Sequence, residues 1–294
     1  MVTTSMQAPP IPSVPTGPSG PVAETRRSHP ETLAALRATV TRSAQLWRRV
    51  TDSDVPVPGL DWTAGETAAH MIGDLRDYTA ELTRYARGYI THGYREPESP
   101  AKLSAQVNAR HLRDVPERNL HRLATQLEEA AAQYLAVAET VEDGTPILTP
   151  NGLIVEPSTM TGLLLGEQLI HGLDIARATE RSWSIGADAA RLVIPAVLTV
   201  APYYLRPAQA YQRVSFELRI RGGQDYRMAV GDGTAIINVA GEHTDCTITA
   251  DPIAFLLVGF GRIPSWSPVI RGKMRPGGRK PWRAMKFATL LDTP

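Results

Sequence analysis

Met160-Thr-Gly-Leu-Leu-Leu-Gly-Glu-Gln-Leu-Ile-His-Gly-Leu-Asp-Ile-Ala-Arg-Ala178 is the stretch around which the rest of the chain is organised. Read as a helix, it places Met160, Leu163, Leu164, Ile170 and Ala178 on one side, the expected core stripe. Glu167, His171 and Asp174 fall inside that stripe, at spacings of four and three. Ionisable groups in the middle of an apolar face are costly to bury unless something compensates them. A divalent metal is one compensator, because a carboxylate and an imidazole one turn apart can reach a single ion. A buried hydrogen-bonded cluster, or a helix facing a wet cleft, is the alternative.

Working outward towards the N-terminus, the spacing predicts three more amphipathic helices. Leu33, Leu36, Val40, Trp47 and Val50 recur at helical spacing behind Ser28-His29-Pro30-Glu31, which reads as a capping box, and Pro56, Pro58 and Gly59 end the run. Thr63 and Glu66 make a second capping box. The helix it opens carries Met71, Leu75, Tyr78, Leu82, Tyr85 and Tyr89 on one face and His70, Asp74, Asp77 and Glu81 on an adjacent polar strip. That strip is either a solvated flank or a lining, with His70 pointing into a pocket between helices. Residues 91–114 read as a polar loop with some helical potential, and neither His92 nor His111 is given a role. From near Pro116, Leu120, Leu123, Leu127, Ala131, Tyr134, Ala138 and Val141 keep bundle spacing, with His121 beside the stripe and on the surface. Residues 143–157 read as a loop with a short hairpin around Pro150-Asn151-Gly152, after which Ser158 caps the opening stretch. Four such helices argue for a four-helix bundle, where metal sites are built from facing helices. The long connections allow a topology other than simple up-down-up-down.

Towards the C-terminus, residues 187–205 read as an apolar helix with Pro195 and Pro202 as irregularities. Val214 to Ile220 then alternates with period two, and Tyr226 to Val230 and Ala235 to Val239 look like partner strands joined by Gly231-Asp232-Gly233. Asp245 to Ala250 is a further strand that packs Cys246. Asp251-Pro252 starts a helix through Leu257, ended by Gly259, and Pro281 to Leu291 forms a last helix. The expected fold class is therefore α+β with two domains: an N-terminal four-helix bundle and a small C-terminal α+β domain with an antiparallel sheet. The expected boundaries are a disordered Pro-rich tail at 1–27, the bundle at 28–182, a connecting helix at 183–206 and the sheet domain at 207–294.

Composition sets outer limits. The 294 residues are 43% hydrophobic, enough for a substantial core, and the net charge of +1 provides no global field to recruit nucleic acid or an anionic membrane. The single cysteine excludes an internal disulfide framework and any CxxC redox or zinc motif, and fits a reducing cytoplasm. No apolar run reaches membrane-spanning length, and the N-terminus lacks a basic-then-apolar secretory pattern. A cytoplasmic protein acting on small molecules, without nucleic-acid or membrane partners, is the expectation.

Two separated patterns then coincide. Trp62-Thr-x-x-Glu66-x-x-x-His70 opens one long helix, and Glu167-x-x-x-His171-x-x-Asp174 sits on another far along the chain. Together they resemble the mycothiol-dependent maleylpyruvate isomerase family, whose N-terminal part belongs to the DinB-like metal-binding bundles. The resemblance covers residues 28–180 and continues beyond. It implies a metal held by His70, Glu167 and His171. The C-terminal part is similar to the sterol-carrier-protein-2-like domain of that family, on Asp251-Pro252, Gly261-Arg262 and Gly272-Lys273, and suggests Arg262 as an active-site cation. The Pro-rich extension and the basic stretch with Arg271, Arg275, Arg279 and Arg283 depart from the family.

Three protein ligands leave coordination positions open, the pattern of a catalytic site. Zinc is the expected metal, and nickel, iron or manganese are accepted by the same donor set. The resemblance implies mycothiol, an actinobacterial thiol, as cofactor. Its thiolate would add to a cis double bond and leave again in an isomerase, or remain on an electrophilic carbon in an S-transferase. Arg262 would hold a substrate carboxylate or polarise a carbonyl, or else stabilise a helix C-terminus; Asp174 would orient a ligand or make a structural hydrogen bond. A metal-dependent hydrolase and a non-catalytic lipid- or small-molecule-binding protein are the competing functions.

Overall fold

The computed structural model describes residues 20–88, 100–144, 146–239 and 243–292. The helical part comprises α1 (Pro21–Arg27), α2 (His29–Trp47), α3 (Ala64–Ala86), α4 (Pro100–Asp114), α5 (Leu120–Ala138), the hairpin of β1 (Ile147–Leu148) and β2 (Ile154–Val155), and α6 (Pro157–Ala178). A seventh helix, α7 (Ala187–Val200), leads to the sheet part, with β3 (Val214–Ile220), β4 (Asp225–Gly231), β5 (Thr234–Val239), β6 (Cys246–Ala250), α8 (Pro252–Gly259), α9 (Trp266–Ile270), β7 (Met274–Gly277) and α10 (Ala284–Leu290). The chain is mixed α+β, helical first and sheet second, as the patterning implies. Among the described residues no helix is long and apolar enough to cross a membrane.

The bundle is α2, α3, α5 and α6. Each of α2 and α3 packs against both α5 and α6, so the two helices consecutive in sequence at each end of the bundle sit diagonally. The long connections permit this order, which short loops would forbid. The opening stretch becomes α6, and it is buried on nearly every side because α2, α3 and α7 all pack on it. A single core stripe therefore understates it. Leu163 and Glu167 are its less buried residues in the central turns, and they face a cavity. Close helix approach relies on glycine. A Cβ on Gly162 would lie 2.6 Å from the Cβ of Ala196 on α7. Gly162→Ala gains helix propensity but forces α6 and α7 apart, so we expect a net loss of about 1–2 kcal/mol in urea unfolding. Unchanged or increased stability would show that the two helices separate freely.

Several local expectations are corrected. The Pro-rich tail, expected to be disordered through residue 27, is helical from Pro21, where α1 packs on α7 and α6 and Arg26 pairs with Glu156 at 2.5 Å. The rest of that tail, residues 1–19, lies outside the described residues, as does His92. Because α1 runs almost directly into α2, Ser28 sits at an elbow and its hydroxyl donates back to the Glu24 carbonyl at 2.9 Å, so the first capping box does not form. Ser158 does not cap α6 either. That helix starts one residue earlier, at Pro157, which has no N–H to satisfy. The amide of Ser158 donates instead to Asp143 at 2.9 Å. The segment taken as a polar loop contains helix α4.

The sheet has the order β5-β4-β3-β6-β7. It is antiparallel except that β3 and β6 run parallel, with Phe216 opposite Cys246. The expectation of an antiparallel sheet is thus met at every pair but this one, because the chain leaves β5 on the edge and must return to the far side of β3. β4 and β5 join through Asp232-Gly233, both with positive φ (51° and 88°), the backbone of a two-residue hairpin turn. Phe216, Leu218, Met228, Cys246 and Ile248 form the buried face, together with Ile194 and Leu198 of α7 and Phe255 of α8. Meanwhile Ala190 and Val193 of α7 and Leu256 of α8 pack into the bundle core. Helix α7 is apolar on two faces because it serves two cores, and it fixes the sheet part against the end of the bundle where the site lies.

Candidate metal centre

Two helices supply the donors. Helix α3 begins with the predicted capping box: the Glu66 amide donates to the Thr63 hydroxyl at 3.2 Å, and the Thr63 amide donates to the Glu66 carboxylate at 2.9 Å. This fixes the first turn, and His70 follows two turns in, buried, on the side facing α6. The cap also brings Trp62 over the site, with its ring centroid 5.0 Å from that of His70 and 6.4 Å from that of His171. From α6, Glu167 and His171 meet it. Glu167 Oε2 lies 3.1 Å from His171 Nε2 and 3.6 Å from His70 Nε2. One donor atom from each of His70, Glu167 and His171 lies within 4.8 Å of the others. The polar strip of α3 lines the cavity through His70, Asp74 and Asp77, while Glu81 pairs with Arg84, and His70, Glu167 and His171 are brought together.

Asp174 and Arg262 extend this group. Asp174 is 3% exposed, and its Oδ2 is 3.0 Å from His171 Nδ1. Arg262, in the loop after α8, donates to Asp174 through Nε at 3.0 Å and through Nη2 at 2.6 Å, and through Nη1 to the Phe260 carbonyl at 2.7 Å. Arg262 lines the cavity, binds a carbonyl at the end of α8, and has the protein's own Asp174 carboxylate as its main partner. The hydrogen bond to Asp174 engages His171 Nδ1 and leaves Nε2 towards Glu167 and His70.

Electrostatics follow from burial and pairing. Burial alone would lower the His171 pKa, but hydrogen bonds to Asp174 and Glu167 outweigh it and push it up to about 9. Burial would raise the Glu167 carboxyl, yet hydrogen bonds to His171 and His70 hold it well below the usual carboxylate range. Asp174 is likewise lowered, because His171 and Arg262 overcome its desolvation. Asp74, whose Oδ2 is 3.1 Å from His70 Nε2, is raised by burial against the opposing pull of His70 and His111.

The donors open on a cavity of about 270 Å³ between the bundle and the sheet part. Its walls are mostly apolar, with Leu163, Val197, Phe255 and Phe260 among them, and Tyr78 and Tyr204 bring phenol groups to it. Burial pushes Tyr204 up to about 12 and raises Tyr78 as well, so both stay neutral hydroxyls that can donate a hydrogen bond. Sequence reasoning assigned Tyr78 to the core and gave Tyr204 no role. His111 was also missed: it is buried on α4, with Nδ1 3.2 Å from His70 Nδ1 and Nε2 2.8 Å from Asp77 Oδ2. Gly73, three residues after His70, was the available signal for a helix packed closely there.

The donor set suits a divalent ion. Two imidazole nitrogens and one carboxylate oxygen converge with the far nitrogen of each ring already engaged, and no further protein donor is needed to explain the cluster. A helical bundle whose facing helices present two histidines and a glutamate to a covered cavity defines a class of candidate metal-site proteins.

Comparison with known proteins narrows that class. Residues 36–176 match the family described as the mycothiol maleylpyruvate isomerase N-terminal domain. Two crystal structures, of the mycothiol-dependent maleylpyruvate isomerase and of a point mutant of it, share the fold with TM-scores of 0.53. They are 14% and 13% identical to this chain, and in each case 85% of this chain and 92% of the other is covered. No curated protein matches it in sequence. Residues 36–176 thus carry the mycothiol maleylpyruvate isomerase N-terminal domain, and the likeness of fold extends over the sheet part.

Proposed function

We propose that this chain is a metal-dependent enzyme that uses a low-molecular-weight thiol, mycothiol, against an electrophilic small molecule, as a maleylpyruvate isomerase-like enzyme or a mycothiol S-transferase. Residues 28–182 form the metal-binding bundle in this reading, 183–206 the connection, and 207–294 a sterol-carrier-protein-2-like domain. The observation that carries it is the meeting of His70, Glu167 and His171 at the wall of a largely apolar cavity.

His70, Glu167 and His171 hold the ion, zinc in the first instance. A divalent ion in such an open site makes a bound thiol more acidic and a better nucleophile at neutral pH. The remaining steps belong to the chain. Asp174 accepts from His171 Nδ1 and so keeps the hydrogen there and Nε2 free for the ion, while Arg262 keeps the buried Asp174 carboxylate ionised. The apolar walls exclude water and favour a thiol over hydroxide. Tyr78 and Tyr204 donate hydrogen bonds to substrate oxygens where negative charge develops. In the isomerase reaction the thiol adds across a cis double bond conjugated to a carbonyl; rotation and elimination return the thiol and the trans isomer.

The test is turnover with mycothiol and maleylpyruvate, followed by a panel of other electrophiles. Thiol-dependent consumption that a chelator suppresses and zinc restores is the expected result. Hydrolysis of esters or amides that does not respond to thiol would replace this reading with a hydrolase.

Metal uptake should also depend on pH. His171 keeps its proton up to about 9 without an ion, and a ligand nitrogen must lose it. Zinc affinity should therefore rise with pH, by up to about tenfold per unit, between neutrality and about pH 9, and level off above. Chelator-competition titrations would show this slope; a flat profile would mean that His171 is not a ligand.

A further inference from the structure

Helix α4 places one residue against the far side of the metal centre, and that contact has the marks of a built feature. The ring of His111 occupies a notch in α3 where residue 73 has no side chain: a Cβ on Gly73 would lie 2.3 Å from the His111 ring. One turn further along α3, Asp77 Oδ2 takes His111 Nε2 at 2.8 Å, and Arg110 pairs with the same Asp77 oxygen. An ionised carboxylate only accepts, so His111 Nε2 carries the hydrogen. A neutral His111 then offers a lone pair at Nδ1, and the group 3.2 Å away is His70 Nδ1. Two facing ring nitrogens make a hydrogen bond only if one donates, and with His111 neutral that donor is His70 Nδ1. That leaves the lone pair of His70 on Nε2, which lies 3.1 Å from Asp74 Oδ2 and 3.6 Å from Glu167 Oε2, so this is the tautomer that a cation on that edge selects.

We propose that His111, seated in the Gly73 notch and anchored by Asp77 and Arg110, is a positioning residue that fixes the ring and tautomer of His70 for metal binding. The proposal deepens the functional reading above and rests on it for the metal, though the hydrogen bond itself exists without one. His70, Asp74 and His111 also bring three donor atoms together, the pattern of a second ion site. The relay is preferred because His70 would otherwise have to bind two ions through its two nitrogens.

Zinc titration of the wild type, His111→Leu, His111→Gln and Gly73→Ala, each checked for folding by circular dichroism, tests this. The wild type should bind one zinc. His111→Leu should lose affinity by about 10–100-fold, the usual effect of removing a group that orients a ligand. His111→Gln, whose amide can accept from His70 and donate to Asp77, should recover most of the loss, and Gly73→Ala, which evicts the ring without removing it, should resemble the leucine variant. Separately, nitrogen-15 spectra of the metal-free wild type should show a coupling between His70 Nδ1 and His111 Nδ1 through their shared hydrogen, absent in Gly73→Ala. Unchanged affinity in His111→Leu, or a second zinc lost with His111, overturns the proposal, and so does the absence of the nitrogen–nitrogen coupling. If the wild type binds no zinc, the functional reading fails, while the coupling still decides the relay.

Discussion

Replacing His171 with alanine should abolish tight zinc binding while the sheet part stays folded. His171 presents Nε2 at 3.1 Å from Glu167 Oε2, and its other nitrogen is held by Asp174. Removing it leaves one imidazole and one carboxylate, too few to compete with water for a divalent ion. Structural zinc sites gather about 10–16 kcal/mol from four ligands, so one lost ligand lowers affinity by about a hundred- to a thousandfold. Metal analysis after dialysis reads this directly, alongside thermal unfolding of both cores. Glu167→Gln should behave similarly but less severely, since a neutral amide oxygen remains a weak donor. Metal content unchanged in His171→Ala would remove α6 from the ligand set.

The second large effect is expected at Arg262. Its removal leaves Asp174, 3% exposed, with His171 as its remaining side-chain partner among the described residues. Breaking a buried pair from one side costs about 3–5 kcal/mol, and the residual bond to His171 brings the expectation for Arg262→Met to about 2–3 kcal/mol. The companion variant Asp174→Leu with Arg262→Met removes both charges together and should recover part of that loss. It should nonetheless bind zinc more weakly than the wild type, because His171 then loses its orienting partner. Denaturant unfolding of the single and double variants separates these contributions. If Arg262→Met is as stable as the wild type, the pair does not couple the loop after α8 to the bundle. Because Asp174 and Arg262 lie on the bundle and the sheet part respectively, the same pair explains how the second part contributes to a site whose candidate ligands all lie in the first.

The contrast between what could and could not be read from the chain has physical causes. Glu167 and His171 were legible because one helix turn places them together, so local spacing alone implies a shared target. His70 needed the helix start at Thr63 to be right, and that start is written in the Thr63–Glu66 capping box. The Asp174–Arg262 pairing was not legible, since nothing local ties residues separated by 88 positions. His111 was hidden because α4 is a mostly polar helix, recognisable only from what it packs against. The edge strand β7 was not assigned from the sequence, and it contains Pro276 and Gly277, residues that are poor strand formers. An edge tolerates proline because one side of the strand has no partner to receive an N–H. The parallel pairing of β3 with β6 depends on where the chain crosses the sheet, which period-two alternation does not encode. The shared role of α7 is visible in hindsight from its apolarity on two sides.

The most direct test of the central claim is anomalous diffraction at the zinc edge from crystals grown with stoichiometric zinc. A single strong peak about 2.0–2.2 Å from His70 Nε2, Glu167 Oε2 and His171 Nε2 is the predicted result. A peak bound elsewhere, or none at this cluster under zinc-saturating conditions, would contradict it.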